Sequence, residues 1–150
     1  LQEVKKEEME LELDEVMKKA NYTFSANAEP ITLISSGEAS CLALSKLLIE
    51  KGIDSMIAVD ERTTRMLCEK PENLQALLEK KLHTKVNAIV KNYEFFKKFK
   101  IIRSTELAYI ANKKGLSEIK DPKILEAMLW GLKFRGCSIS EEEINEMKEM

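Results

Sequence analysis

Apolar residues recur at helical spacing through residues 1–19, where Leu1, Val4, Met9, Leu11, Leu13, Val16 and Met17 stripe a segment otherwise rich in Glu and Lys. That pattern predicts an amphipathic helix. Residues 21–30 are a polar connector, and 31–34 read as a short strand. Ser35-x-x-Glu38 has the spacing of a capping box, and the run Leu42, Ala43, Leu44, Leu47, Leu48 and Ile49 then predicts a buried helix ending near Gly52. Residues 55–59 are almost continuously apolar, as a central parallel strand is. A helix follows over 61–69, and Pro71 opens another amphipathic stretch to about residue 81.

The pattern is weaker between residues 80 and 100, where a helix or two and a short strand at 100–102 are expected. Residues 105–114 are helical and stop at Gly115; Asp121-Pro122 begins a helix that runs to about Arg135 and closes at Gly136. Ser140-x-x-Glu143 caps a last helix. The predicted order, α-β-α-β-α-α-β-α-α-α, belongs to the α/β class with a small parallel sheet.

In such a fold, ligands bind where strands end and helices start. Glu38 and Asp60 each stand at a predicted helix start, with one helix and one strand between them. That spacing brings both acids to the same sheet edge, and two carboxylates there suit a hard divalent metal. Each also has a plain structural role. Glu38 is the third position of a capping box, and Asp60 is a favoured N-cap for the helix at Glu61. Arg62 and Arg65, three apart, share a helix face beside Asp60, either as a phosphate clamp or as a solvated face paired with Glu61 or Glu69.

A length of 150 residues is most simply one domain with a core of its own. Net charge of −2 excludes a strongly basic nucleic-acid binder but permits a local basic patch. The candidate patch holds Lys80, Lys81, Lys85, Lys91, Lys97, Lys98 and Lys100, with Tyr93, Phe95, Phe96 and Phe99 interleaved. Bases and phosphates of single-stranded RNA could be held there, or the aromatics could simply pack inward. Cys41, Cys68 and Cys137 lack zinc or redox spacing and read as reduced, core-facing thiols of a cytoplasmic protein. His83, the single histidine, reads as a surface residue. No apolar run approaches the ~18 residues that cross a bilayer.

Taken in order, these motifs resemble the PIN-domain family of metal-dependent nucleases, and its toxin-like branch in particular. There a Gly-Glu-Ala helix start precedes a strand ending in an acidic-acidic-Arg-x-x-Arg run. Here those are Gly37-Glu38-Ala39 and Asp60-Glu61-Arg62-x-x-Arg65. Ser104 stands where the branch often has Thr, followed by Lys113-Lys114-Gly115-Leu116, Phe134-Arg135-Gly136 and Ile139-Ser140. The likeness covers residues 31–150, with an unusually long insertion over 71–100. Glu3-Val4 is similar to the family's Glu-Val pair, whereas its first-strand Asp has no counterpart. The chain also opens at Leu1 on a charged helix. A missing upstream strand and helix of at least about 15 to 25 residues is therefore expected.

The resemblance implies a three-layer α/β/α sandwich with a short parallel sheet, a single PIN-like domain over residues 1–150. It implies metal-dependent hydrolysis of RNA phosphodiester bonds, with Glu38 and Asp60 catalytic. Glu38, Asp60 and Glu3 would hold Mg²⁺ or Mn²⁺. Arg62, Arg65 and Ser104 would contact phosphate, as would Lys97 and Lys98 from the basic stretch. The implied partners are RNA, an antitoxin protein and a second copy of the chain, with no membrane. The alternative is a non-catalytic RNA- or protein-binding module that keeps the fold.

Overall fold

The computed structural model describes residues 4–150. Among them the chain runs through α1 (Lys6–Asn21), β1 (Phe24–Ala26), β2 (Glu29–Pro30), α2 (Ser36–Glu50), β3 (Met56–Ala58), α3 (Arg62–Glu69) and α4 (Pro71–Leu82). It continues through β4 (Val86–Ala88), a 3-10 turn (Val90–Asn92), α5 (Tyr93–Phe96), β5 (Lys100–Ile102), α6 (Ser104–Lys113), α7 (Ile124–Phe134) and α8 (Glu141–Glu149). The fold is mixed α/β: an antiparallel sheet in the order β2-β1-β4, and a small parallel sheet of β3 and β5. Two compact units divide it, one within Leu1–Ile57 and Thr63–Ile101, the other Ala58–Arg62 with Ile102–Met150.

In the first unit, the expected strand over 31–34 does not form. The Asn21 side-chain oxygen accepts the N–H groups of Leu33 and Ile34, at 2.7 and 3.2 Å, so a side chain takes donors that a neighbouring strand would have used. Part of the supposed connector is instead a hairpin, in which Ala26 faces Glu29 across the two-residue turn Asn27-Ala28. Both turn residues have positive φ, 50° and 67°, as a type I′ hairpin requires. β4 pairs with β1 on one side. Towards α4 its Val86 donates to Glu79 at 3.1 Å and accepts from Gln75 at 2.8 Å, so polar side chains cover the strand's free edge.

The interleaved aromatics over 93–99 prove to be core. Tyr93, Phe96 and Phe99 are buried, and Phe95 meets Phe96 edge-on at 5.0 Å. They pack in the unit that also buries Phe24, Leu42, Leu67 and Leu74. Two other expectations fail by one face of a helix each: Leu11 is 74% exposed on α1, and Cys41 is exposed on α2. Cys68 is buried as expected, and burial pushes its thiol up to about 12. Lys46 ties α2 to α1 through Glu12 and Glu15, with Glu50 on its own helix. Burial opposes its charge, but the three carboxylates outweigh that and raise its pKa.

The second unit is helical around Leu125, Leu129, Ile139 and Ile144. The capping box of α8 forms as read: Glu143 N–H donates to Ser140 Oγ at 3.1 Å, and Ser140 N–H to the Glu143 carboxylate at 2.8 Å. α7 starts later than expected, because Asp121 closes a turn by accepting the Lys123 N–H at 2.7 Å. Among the described residues no helix is long and apolar enough to cross a membrane.

Candidate functional site

β3 ends at Ala58, and the Val59 N–H donates to the Ile102 carbonyl at 3.0 Å. That bond sets Asp60 beside the start of α6, within one unit. Ser104, the first residue of α6, gives Asp60 two hydrogen bonds: its backbone N–H reaches Oδ1 at 2.8 Å and its hydroxyl reaches Oδ2 at 2.6 Å. The Cys137 thiol donates to Oδ1 at 3.2 Å. Asp60 therefore caps α6 from across the fold, where the helix dipole favours a negative charge. That helix is not α3, which follows Asp60 in sequence and begins at Arg62.

Burial is the largest single influence on this carboxyl and raises its pKa. The Ser104 and Cys137 donors and the Arg103 charge together outweigh it, so Asp60 titrates below its ordinary range. A carboxylate offers about four acceptor positions. Three are used here, which leaves Oδ2 room for about one further partner.

Arg103 forms the rim of this cluster. Its backbone N–H and Nε bind the Glu106 carboxylate at 2.8 and 3.1 Å, and another guanidinium nitrogen reaches Glu143 at 2.8 Å. One arginine thus links the first turns of α6 and α8. Neither Arg103 nor Cys137 is marked in the sequence. Arg103 falls in no motif, and Cys137 reads only as a core-facing thiol far along the chain from Asp60.

Of the residues expected from sequence, Asp60 and Ser104 come into direct contact. Glu38 lies in the other unit, where its Oε2 accepts the Ser35 N–H at 3.0 Å and also meets the Ser35 hydroxyl. Its capping role is thus fulfilled, and Oε1 stays unbonded among the described residues. Arg62 is exposed, whereas Arg65 is half-buried with its Nε buried and lacking a hydrogen-bond partner. Lys97 pairs with Glu94 at 3.4 Å and Glu72 at 3.6 Å. Lys98 lies over the Phe95 ring at 4.3 Å. Glu3 falls outside the described residues.

Among the described residues no three or more His, Cys, Asp or Glu side chains gather into a metal cage. An ionised Asp60 with one acceptor position left fits a metal as a single ligand. Comparison of the chain with family models, with curated proteins and with solved structures gives no match.

Proposed function

We propose that the chain is a metal-dependent ribonuclease built on the PIN three-layer plan, with Asp60 as a metal ligand. The observation that carries this reading is the Asp60 carboxylate, held ionised by Ser104 and Cys137 where β3 gives way to α3 and α6 begins. A carboxylate with three of its acceptor positions taken presents the remaining lone pair in one direction, which is what binding a hard cation needs. Bound there, Mg²⁺ or Mn²⁺ would supply an activated water and stabilise the leaving oxygen. Ser104 orients the carboxylate, and the exposed Arg62 attracts the phosphate. An antitoxin partner, a homodimer and a cytoplasmic setting belong to the same reading.

Asp60→Asn tests it. The amide keeps an acceptor for the Ser104 N–H but removes the charge. Mn²⁺-dependent cleavage of single-stranded RNA should fall at least a hundredfold while the far-UV circular dichroism stays that of the parent. Undiminished cleavage would remove Asp60 from the chemistry.

A second reading has its own support. Three donors already bind Asp60, as they would in a purely structural cap. That favours a non-catalytic module, which would bind RNA or protein and cleave nothing at any Mn²⁺ concentration.

A further inference from the structure

Phe134 is 81% exposed, more than any other large hydrophobic side chain among the described residues. It stands at the end of α7 and stacks on Trp130, one turn earlier, with ring centroids 5.8 Å apart and planes at 28°. Trp130 is held from behind, being packed against the core cluster of Leu125, Leu129, Ile139 and Ile144. Lys133 places its ammonium 4.8 Å from the Trp130 ring centroid and also meets Glu141 at 3.5 Å. Arg135 is exposed, and among the described residues its side chain has no hydrogen-bond or ion-pair partner. An aromatic step thus ends in an open ring face, and the next residue in the chain carries an exposed guanidinium.

The rest of that helix face limits what can sit there. Ala127, Gly131 and Phe134 are its exposed positions, spaced four and three apart. A Cβ added at Gly131 would meet no atom within 4 Å, so the space above it is open. One large apolar group between small residues is far less than the ~800 Å² per partner that a stable protein interface buries. It matches one planar ring. Exposed aromatics with adjacent cations are how proteins hold the bases and backbone of single strands. The aromatics over 93–99 that the sequence marks for this role are largely buried and cannot perform it.

We infer that Phe134, backed by Trp130, is the stacking site for one base of single-stranded RNA, with Arg135 on the adjoining phosphate. The inference rests on RNA being the ligand, as proposed above, but not on its being cut. Trp130 is the sole tryptophan of the chain, so its fluorescence reports on this site alone.

The experiment titrates the full chain, in chelator so that no RNA is cleaved, with an oligoadenylate of about ten nucleotides. An abasic oligomer with the same number of phosphates serves as control. Oligoadenylate should quench Trp130 emission and the abasic strand should not. Phe134→Ala should weaken oligoadenylate binding about five- to tenfold and leave abasic binding unchanged, with Phe134→Tyr restoring most of the loss. Equal affinities in Phe134→Ala and parent, or emission that ignores the base, would overturn the site. So would a concentration-dependent dimer that Phe134→Ala abolishes without altering RNA affinity. A parent that binds no RNA refutes this site and the RNA reading together. Base stacking without Mn²⁺-dependent cleavage keeps the site and refutes only the nuclease.

Discussion

Asp60 accepts three hydrogen bonds, two of them from Ser104, and that pair offers a local measure of what the site contributes to stability. A hydrogen bond to a charged group is worth about 1.5 to 3 kcal/mol, so Ser104→Ala should lower unfolding free energy by roughly that amount at neutral pH. The direction with pH follows from the lowered carboxyl pKa. Folding binds the ionised form more tightly, so the stabilisation is complete above the unfolded value, ordinarily 3.8, and disappears as pH falls through the lower folded one. Urea unfolding of parent and Ser104→Ala should therefore differ at pH 7 and converge in strong acid. A difference that persists undiminished below the carboxyl range would mean that the hydroxyl acts on something other than Asp60. The sequence offers Asp60 either as a metal ligand or as an N-cap for the helix expected at Glu61. It does not show that the helix capped begins 44 residues later, since that partner is fixed only when β3 and β5 pair.

At the scale of elements, local chemistry was legible where it is self-contained. The capping boxes at Ser35 and Ser140 and the glycine stops at Gly115 and Gly136 satisfy their own backbone groups within a few residues. The β1–β2 hairpin was hidden for a physical reason. Its turn is Asn27-Ala28, and the usual second residue of a type I′ turn is glycine, the residue that signals such a hairpin in a sequence. Ala28 sits at φ 67°, where its Cβ crowds the backbone by about 1 kcal/mol. Ala28→Gly should relieve that crowding and raise the melting temperature, with a net gain of about 0.5 kcal/mol after the added freedom of glycine in the unfolded chain. A lower melting temperature would show that the turn keeps its shape through side-chain contacts of Ala28. The aromatic run over 93–99 was legible as a pattern but not in its meaning. Packing and base stacking demand the same residues, and only burial separates them.

For the whole molecule, a net charge of −2 means that RNA binding cannot rest on a general positive field. It must rest on particular cations whose charge is not already answered by the protein. Lys97 is paired with Glu72 and Glu94, Lys100 is held by Asp54 at 2.6 Å, and Lys98 lies on aromatic rings. Arg62 and Arg135 are exposed and have no such partner among the described residues. Each cation that neutralises a phosphate of single-stranded RNA adds about 0.7 to the slope of log affinity against log salt. Replacing Arg62 or Arg135 by Gln should therefore flatten that slope by about 0.7 each, whereas the triple change of Lys97, Lys98 and Lys100 to Gln should flatten it by less than one arginine does. Filter binding of a short RNA in chelator, over a range of potassium chloride concentrations, gives these slopes directly. If the lysine triple flattens the slope by about 2, those side chains leave their protein partners to bind phosphate, and the basic stretch is the RNA path after all.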